Sequence, residues 1–295
     1  MSGDFKLKLG HRAFLKKNGF VFDKKPHQLD KVFINSFAES ERSKIIETWA
    51  LRSAISSSNP NELYRMPKNK KQAALLFSQD ANRILNTMKW FDQIIKEFAP
   101  KKVIEMGCGA GFLLSYLSQK YPNINFSGIE NESSLAKIAS NLLNKNVYSG
   151  SYLEIQSIDQ YDLIICDFGF DKSDFKSSGA PHPIVEIEGH IYCSKCCDYL
   201  TEQFLDYLQA WRNWSYPNSF LAFTGRLSNF EEHRAFVLAA YECGWDLSVS
   251  RSKRIVFNNS NSNETVPGFI FKPSEISSSS EAESLLLDYY RLNTY

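Results

Sequence analysis

No stretch of this chain runs to about 18 consecutive apolar residues, so nothing in it reads as a helix that would cross a bilayer. The first residues, Met1-Ser2-Gly3-Asp4-Phe5-Lys6, hold no apolar signal region, and a cytoplasmic location is expected. A charge excess is missing too. The 34 basic and 33 acidic residues leave a formal net charge of +1. Without a broad positive field, nucleic acid is not the expected partner. The basic run of Lys6, Lys8, Arg12, Lys16 and Lys17 keeps one RNA-directed alternative open. Internal repeats are absent, which sets aside solenoids and propellers. Cysteine is sparse, with six residues, and in a reducing compartment these are free thiols or metal ligands rather than a disulfide framework.

What is present is enough apolar material (43%) for a sizeable core, in a 295-residue chain that can hold one large α/β domain with additions. Three zones are expected. Residues 1–71 form a mixed, Phe- and Lys-rich region with a helix over 41–52 and a loop at Ile55-Ser56-Ser57-Ser58-Asn59-Pro60. Residues 72–272 open with a long amphipathic helix, 73–98, ended by Pro100. Strands at 102–106, 125–130, 147–148, 161–167 and 220–224 then alternate with helices at 112–121, 133–143, 199–211 and 231–243. A strand pair, 247–257 and 268–271, closes the zone. This alternation predicts a mostly parallel sheet covered on both faces. Residues 273–295 form a tail: a flexible serine run, Ser277 to Ser280, then an amphipathic helix using Leu285, Leu286, Leu287, Tyr289 and Tyr290.

The chemistry concentrates where Val103-Ile104-Glu105 runs into Met106-Gly107-Cys108-Gly109-Ala110-Gly111 and a helix begins. Glycines let a backbone turn tightly and approach a ligand, and the helix start exposes free N–H groups. A dinucleotide fingerprint would need G-x-G-x-x-G, but Phe112 stands where its third glycine belongs. Glu105 would repel a pyrophosphate and suits a ligand ammonium group instead. The second strand ends in Glu130, whose carboxylate can accept from both hydroxyls of a ribose. The ligand therefore reads as a nucleoside with an amino-acid end.

In these residues the chain resembles the class I S-adenosylmethionine-dependent methyltransferases. The resemblance covers about 100–272 and implies a Rossmann-like, seven-stranded sheet with an antiparallel last strand, here with an N-terminal helical extension. It implies S-adenosylmethionine as cofactor and a small-molecule or peptide/protein acceptor. By position, Glu105, Gly107, Cys108, Gly109 and Gly111 form the first motif, and Glu130-Asn131 the ribose end. Gly150-Ser151-Tyr152 is the loop beside adenine, with Ser151 where the family often has an acid. Asp167-Phe168 lies beside the methyl group. Residues 1–71 would then be a lid or acceptor-binding region over the methyltransferase domain.

Cys166-Asp167-Phe168-Gly169 lacks the Asn/Asp-Pro-Pro-aromatic signature of many amino-methylating enzymes. Asp167 is a candidate to hold an amine or to cap the strand end. About thirty residues separate Phe168 from the next expected helix, and this insertion carries His182 and His190, each a candidate general base. His190-x-x-Cys193-x-x-Cys196-Cys197 has the spacing of a zinc knuckle but no second pair, so His182 or His190 would have to complete four ligands; the favoured reading is that Cys197 and Cys196 begin a helix as buried thiols, and no metal is assigned. A fold of this kind retained as a silent binding module is the other alternative.

Overall fold

The computed structural model describes residues 9–51, 62–156, 159–170, 183–259 and 262–293. The expected loop at 55–60, together with Lys6, Lys8 and His182, lies outside these residues. In chain order come α1 (His11–Lys17), α2 (Pro26–Asn35), α3 (Glu39–Leu51), α4 (Glu62–Arg65), α5 (Lys70–Phe77) and α6 (Ala81–Phe98). Next are β1 (Lys102–Met106), α7 (Phe112–Lys120), β2 (Asn125–Glu130), α8 (Ser133–Leu143), β3 (Tyr148–Ser149) and β4 (Tyr161–Asp167). A hairpin follows, β5 (Ile184–Ile187) and β6 (His190–Cys193). Then come α9 (Ser194–Asn213), β7 (Ser215–Thr224), α10 (Phe230–Glu242), β8 (Trp245–Leu247), β9 (Lys253–Asn259), β10 (Ser262–Pro273) and α11 (Ser279–Leu292).

The sheet has the order β3-β2-β1-β4-β7-β10-β8. β1, β2, β3, β4 and β7 pair in parallel, and β10 runs against β7 and β8. This order holds the expected seven strands, and β9 joins the sheet as an eighth, pairing with the first half of β10 off the main order. The expected strand 247–257 is split into β8 and β9. Ser252 Oγ accepts from Ile270 N at 2.9 Å and Ser248 N donates to Ile270 O at 2.7 Å, which closes a turn where a continuous strand would run.

The expected helix 73–98 is also broken, by a 3₁₀ turn at Ser78–Asp80. The Ser78 hydroxyl donates to Ala74 O at 2.6 Å and accepts from Val21 N at 3.0 Å. A side chain that bonds the preceding turn and a distant segment together bends the helix there. The helix expected at 199–211 begins five residues earlier, because Cys193 caps α9 through its sulfur.

Each strand sends alternate residues to opposite faces. Val103, Leu163, Ile165 and Ala222 join α1, α6, α7 and α8 in one apolar cluster. Ile104, Met106, Ile164, Cys166, Leu221 and Phe223 join α9, α10 and α11 in another. Phe33, Phe37, Ile45 and Trp49 make a smaller cluster against α5. The amphipathic tail helix docks on the second cluster through Ala282, Leu286, Leu287 and Tyr289. Part of the serine run is ordered as its cap, Ser278 Oγ accepting from Glu281 N at 3.3 Å. No helix is long and apolar enough to cross a membrane among the described residues.

Candidate functional site

The same alternation sets the site. Glu105 shares a face with Val103, Asp167 with Ile165, and Glu130 with Phe126, so three carboxylates stand on the α6 side at the carboxyl ends of adjacent strands. A cleft of about 270 Å³ opens above them. Its wall includes every expected cofactor residue: Glu105, Gly107, Cys108, Gly109, Glu130, Asn131, Ser151, Tyr152, Asp167 and Phe168, with the sole exception of Gly111. Gly111 is the N-cap of α7 at φ +74°, and a Cβ there would stand 2.8 Å from that of Ala139. Its role is the approach of α7 to α8. Gly107 holds φ +70°, and a Cβ on it would meet Gly169 Cα at 2.5 Å. The glycine turn and the loop after β4 therefore touch backbone to backbone.

Glu105 is 3% exposed and its Oε2 has no hydrogen-bond partner. Burial first, then the neighbouring Asp167 and Glu130 carboxylates, push its acid well above the usual range. Glu130 is also raised by burial, partly offset by three backbone donors, from Glu132, Gly109 and Asn131. Gly109 N donates to Oε2 at 2.7 Å and Glu132 N to Oε1 at 2.8 Å. With Asn131 N as the third backbone donor, the carboxylate keeps lone-pair capacity for a ligand hydroxyl. Tyr152 OH donates to Gly169 O at 3.2 Å, which ties the loop after β3 to the one after β4.

Asp167 is held on both oxygens. Oδ1 accepts from Arg83 Nη1 at 3.0 Å and from Thr224 Oγ1 at 2.9 Å, and Oδ2 from Thr87 Oγ1 at 3.0 Å. The Arg83 guanidinium also lies 3.7 Å above the Phe168 ring. Phe168 sits at φ +59°, a backbone conformation rare for an aromatic residue and of the kind found at ligand sites. Asp80 faces both Arg83 (3.7 Å) and Arg226 (3.6 Å) at the cleft rim. Aromatic side chains, among them Phe20, Tyr64, Phe77 and Tyr207, complete the wall.

The sequence reading missed Arg83, Thr87 and Thr224. Arg83 and Thr87 are polar residues four apart on a buried helix face that continues to Trp90. Thr224 has the strand parity of Asp167's neighbours. Those were the available signals.

The expected catalytic residues do not converge. Asp167 is at the cleft, and His182 lies outside the described residues. His190 is not brought to the cleft. It stacks on Phe230 with centroids 4.4 Å apart and rings 2° from parallel, and packs on Tyr290 at 4.6 Å. Neither is a group of three or more metal-ligating side chains assembled among the described residues. Cys193 Sγ accepts from Cys196 N at 3.3 Å, while Cys197 is buried with Arg234 Nη1 3.0 Å from its sulfur. In the basic N-terminal run, Arg12 and Lys16 both pair with Asp23.

No protein-family model matches the chain, and no curated protein does. Solved structures do. A TehB-like SAM-dependent methyltransferase from Corynebacterium glutamicum is 15% identical, covering 67% of this chain and 96% of its own, with a TM-score of 0.43. The StiE O-MT is 11% identical over 82% and 90%, with a TM-score of 0.48. DesVI of Streptomyces venezuelae is 10% identical over 66% and 94%, with a TM-score of 0.42. With parallel strands flanked by helices, an antiparallel strand set between β7 and β8, and the glycine turn at the end of β1, the chain has the Rossmann-like fold of the class I S-adenosylmethionine-dependent methyltransferases.

Proposed function

We propose that this cleft binds S-adenosylmethionine and that the chain transfers its methyl group to a small-molecule or peptide/protein acceptor. The observation that carries the reading is the buried, unpartnered Glu105 Oε2 beneath the glycine turn. An orphaned buried carboxyl oxygen costs about 1–3 kcal/mol, and a ligand ammonium group removes that cost. The residues present fit such a ligand. Glu105 would take the ammonium, the open lone pairs of Glu130 the ribose hydroxyls, and Ser151-Tyr152 would stand beside the adenine. At Gly109, on the cleft wall, a Cβ would reach to 3.5 Å from Phe77, so glycine keeps that part of the wall open. When bound, the sulfonium supplies an electrophilic methyl group open to in-line attack.

The chain's own contribution is placement. Asp167 is fixed by three donors and so works as a rigid wall at the end of β4. Phe168, held under Arg83, fixes the surface on which an acceptor would rest. Aromatic walls exclude water and suit an apolar or planar acceptor. Orientation of this kind carries much of a methyl transfer when the acceptor is already nucleophilic.

Calorimetry with S-adenosylmethionine tests binding, and a labelled-methyl assay on fractionated extract tests transfer. Absence of binding at millimolar ligand would overturn the proposal. Binding without transfer to any fraction would leave the silent binding module as the better reading.

A further inference from the structure

Four of the six cysteines, Cys108, Cys166, Cys197 and Cys243, are buried. The two that reach solvent, Cys193 and Cys196, are three residues apart at the start of one helix. Cys193 is the N-cap of the 20-residue α9 and Cys196 its third residue, with Cys193 Sγ 3.3 Å from Cys196 N. An N-cap and the third residue after it stand one turn apart, within the roughly 4.4–6.8 Å Cα separation that a disulfide spans. The backbone on the strand side is pinned as well, Cys193 N donating to Glu231 Oε2 at 2.7 Å. This one-turn spacing puts a bond between the two sulfurs within reach of side-chain rotation. The neighbouring thiol of Cys197 is not a competitor. It points inward, donates to Glu231 O at 3.7 Å and lies against Arg234.

The geometry points to Cys193 and Cys196 as a reversible dithiol–disulfide site whose co-substrate is a low-molecular-weight disulfide of the glutathione type. One thiolate attacks the external disulfide RSSR, forming a mixed disulfide and releasing RS⁻. The second thiolate attacks the protein sulfur of that bond, closes Cys193–Cys196 and releases the second RS⁻. The chain loses two electrons and two protons, and RSSR becomes two RSH. The bond fastens the end of the β5–β6 hairpin to the first turn of α9, the helix that supplies Tyr207 to the cleft.

The test is to equilibrate the full folded chain in buffers of reduced and oxidised glutathione, quench in acid, alkylate after unfolding, and read intact mass and peptide map. The expected result is that two thiols vanish together with a loss of about 2 Da, in a single Cys193–Cys196 cross-link. Cys193→Ser and Cys196→Ser, checked for folding by near-ultraviolet circular dichroism, should each halt at a mixed disulfide on the remaining cysteine. A stable glutathione adduct on the wild-type chain, a cross-link to another cysteine, or six alkylated thiols in the most oxidising buffer would each overturn the assignment.

Discussion

Glu105 is a buried carboxyl whose charge the fold disfavours. Its acid is raised by burial and by two neighbouring carboxylates, so the folded, ligand-free chain holds this proton where the unfolded chain has released it. Stability from this group is full below the ordinary glutamate range and declines as pH rises from there toward the raised folded value. Glu105→Gln removes that decline. The variant should be more stable than wild type at neutral pH and above, measured by urea unfolding, while binding S-adenosylmethionine about 30-fold more weakly, the loss of about 2 kcal/mol expected for a charge-assisted hydrogen bond. A variant that binds as well as wild type would remove Glu105 from the cofactor site. Arg83 offers the reverse case. Arg83 and Asp167 are each about 10% exposed in their side chains, so Arg83→Met strands a buried carboxylate. That change should cost about 3 kcal/mol in urea unfolding, with part restored in Arg83→Met/Asp167→Asn. No recovery in the double variant would mean that Arg83 stabilises through packing on Phe168 rather than through Asp167.

Among the elements, α11 is the clearest to test, because it packs on the face of the sheet opposite the cleft. Leu286 is fully buried there, and Leu286→Ala should lower stability by about 3 kcal/mol. Ser278→Ala should cost about 1 kcal/mol by removing the helix cap. Both should leave the dissociation constant for S-adenosylmethionine within about twofold, since well-separated sites behave additively. A large loss of binding in either would show that the tail helix supports the cleft through the sheet. The break between α5 and α6 works the other way. The turn at Ser78–Asp80 brings Asp80 and Arg83 to the rim, where a continuous helix would follow a different path.

For the whole molecule, any ligand that binds only the folded state stabilises it by mass action. At one hundred times its dissociation constant the gain is about 2.7 kcal/mol. For a chain of this size that corresponds to a rise in Tm of about 5 °C. S-adenosylmethionine should produce it and adenosine triphosphate should not. Equal shifts from both would mean that Glu105 does not select against phosphates.

Much of this was set by the sequence itself. Alternating apolar runs marked β1, β2, β4, α7, α8 and α10, because local periodicity is a property of neighbouring residues, but not the β5–β6 hairpin or the breaks in 73–98 and 247–257. The glycines after Glu105 fixed the turn, because positive φ is open to glycine at little cost. Strand parity placed Glu105, Glu130 and Asp167 on one face once the strands were known. The tertiary structure alone decided what each carboxylate meets. Arg83 and Asp167 are 84 positions apart, and only the packing of α6 across β4 joins them. His190 reads as a base in an insertion and ends between aromatic rings, because β6 lies against α10 and α11 and not over the cleft. Glu105 remained unpaired while Asp167 gained three donors. That difference is one of three-dimensional neighbours, which no local pattern encodes.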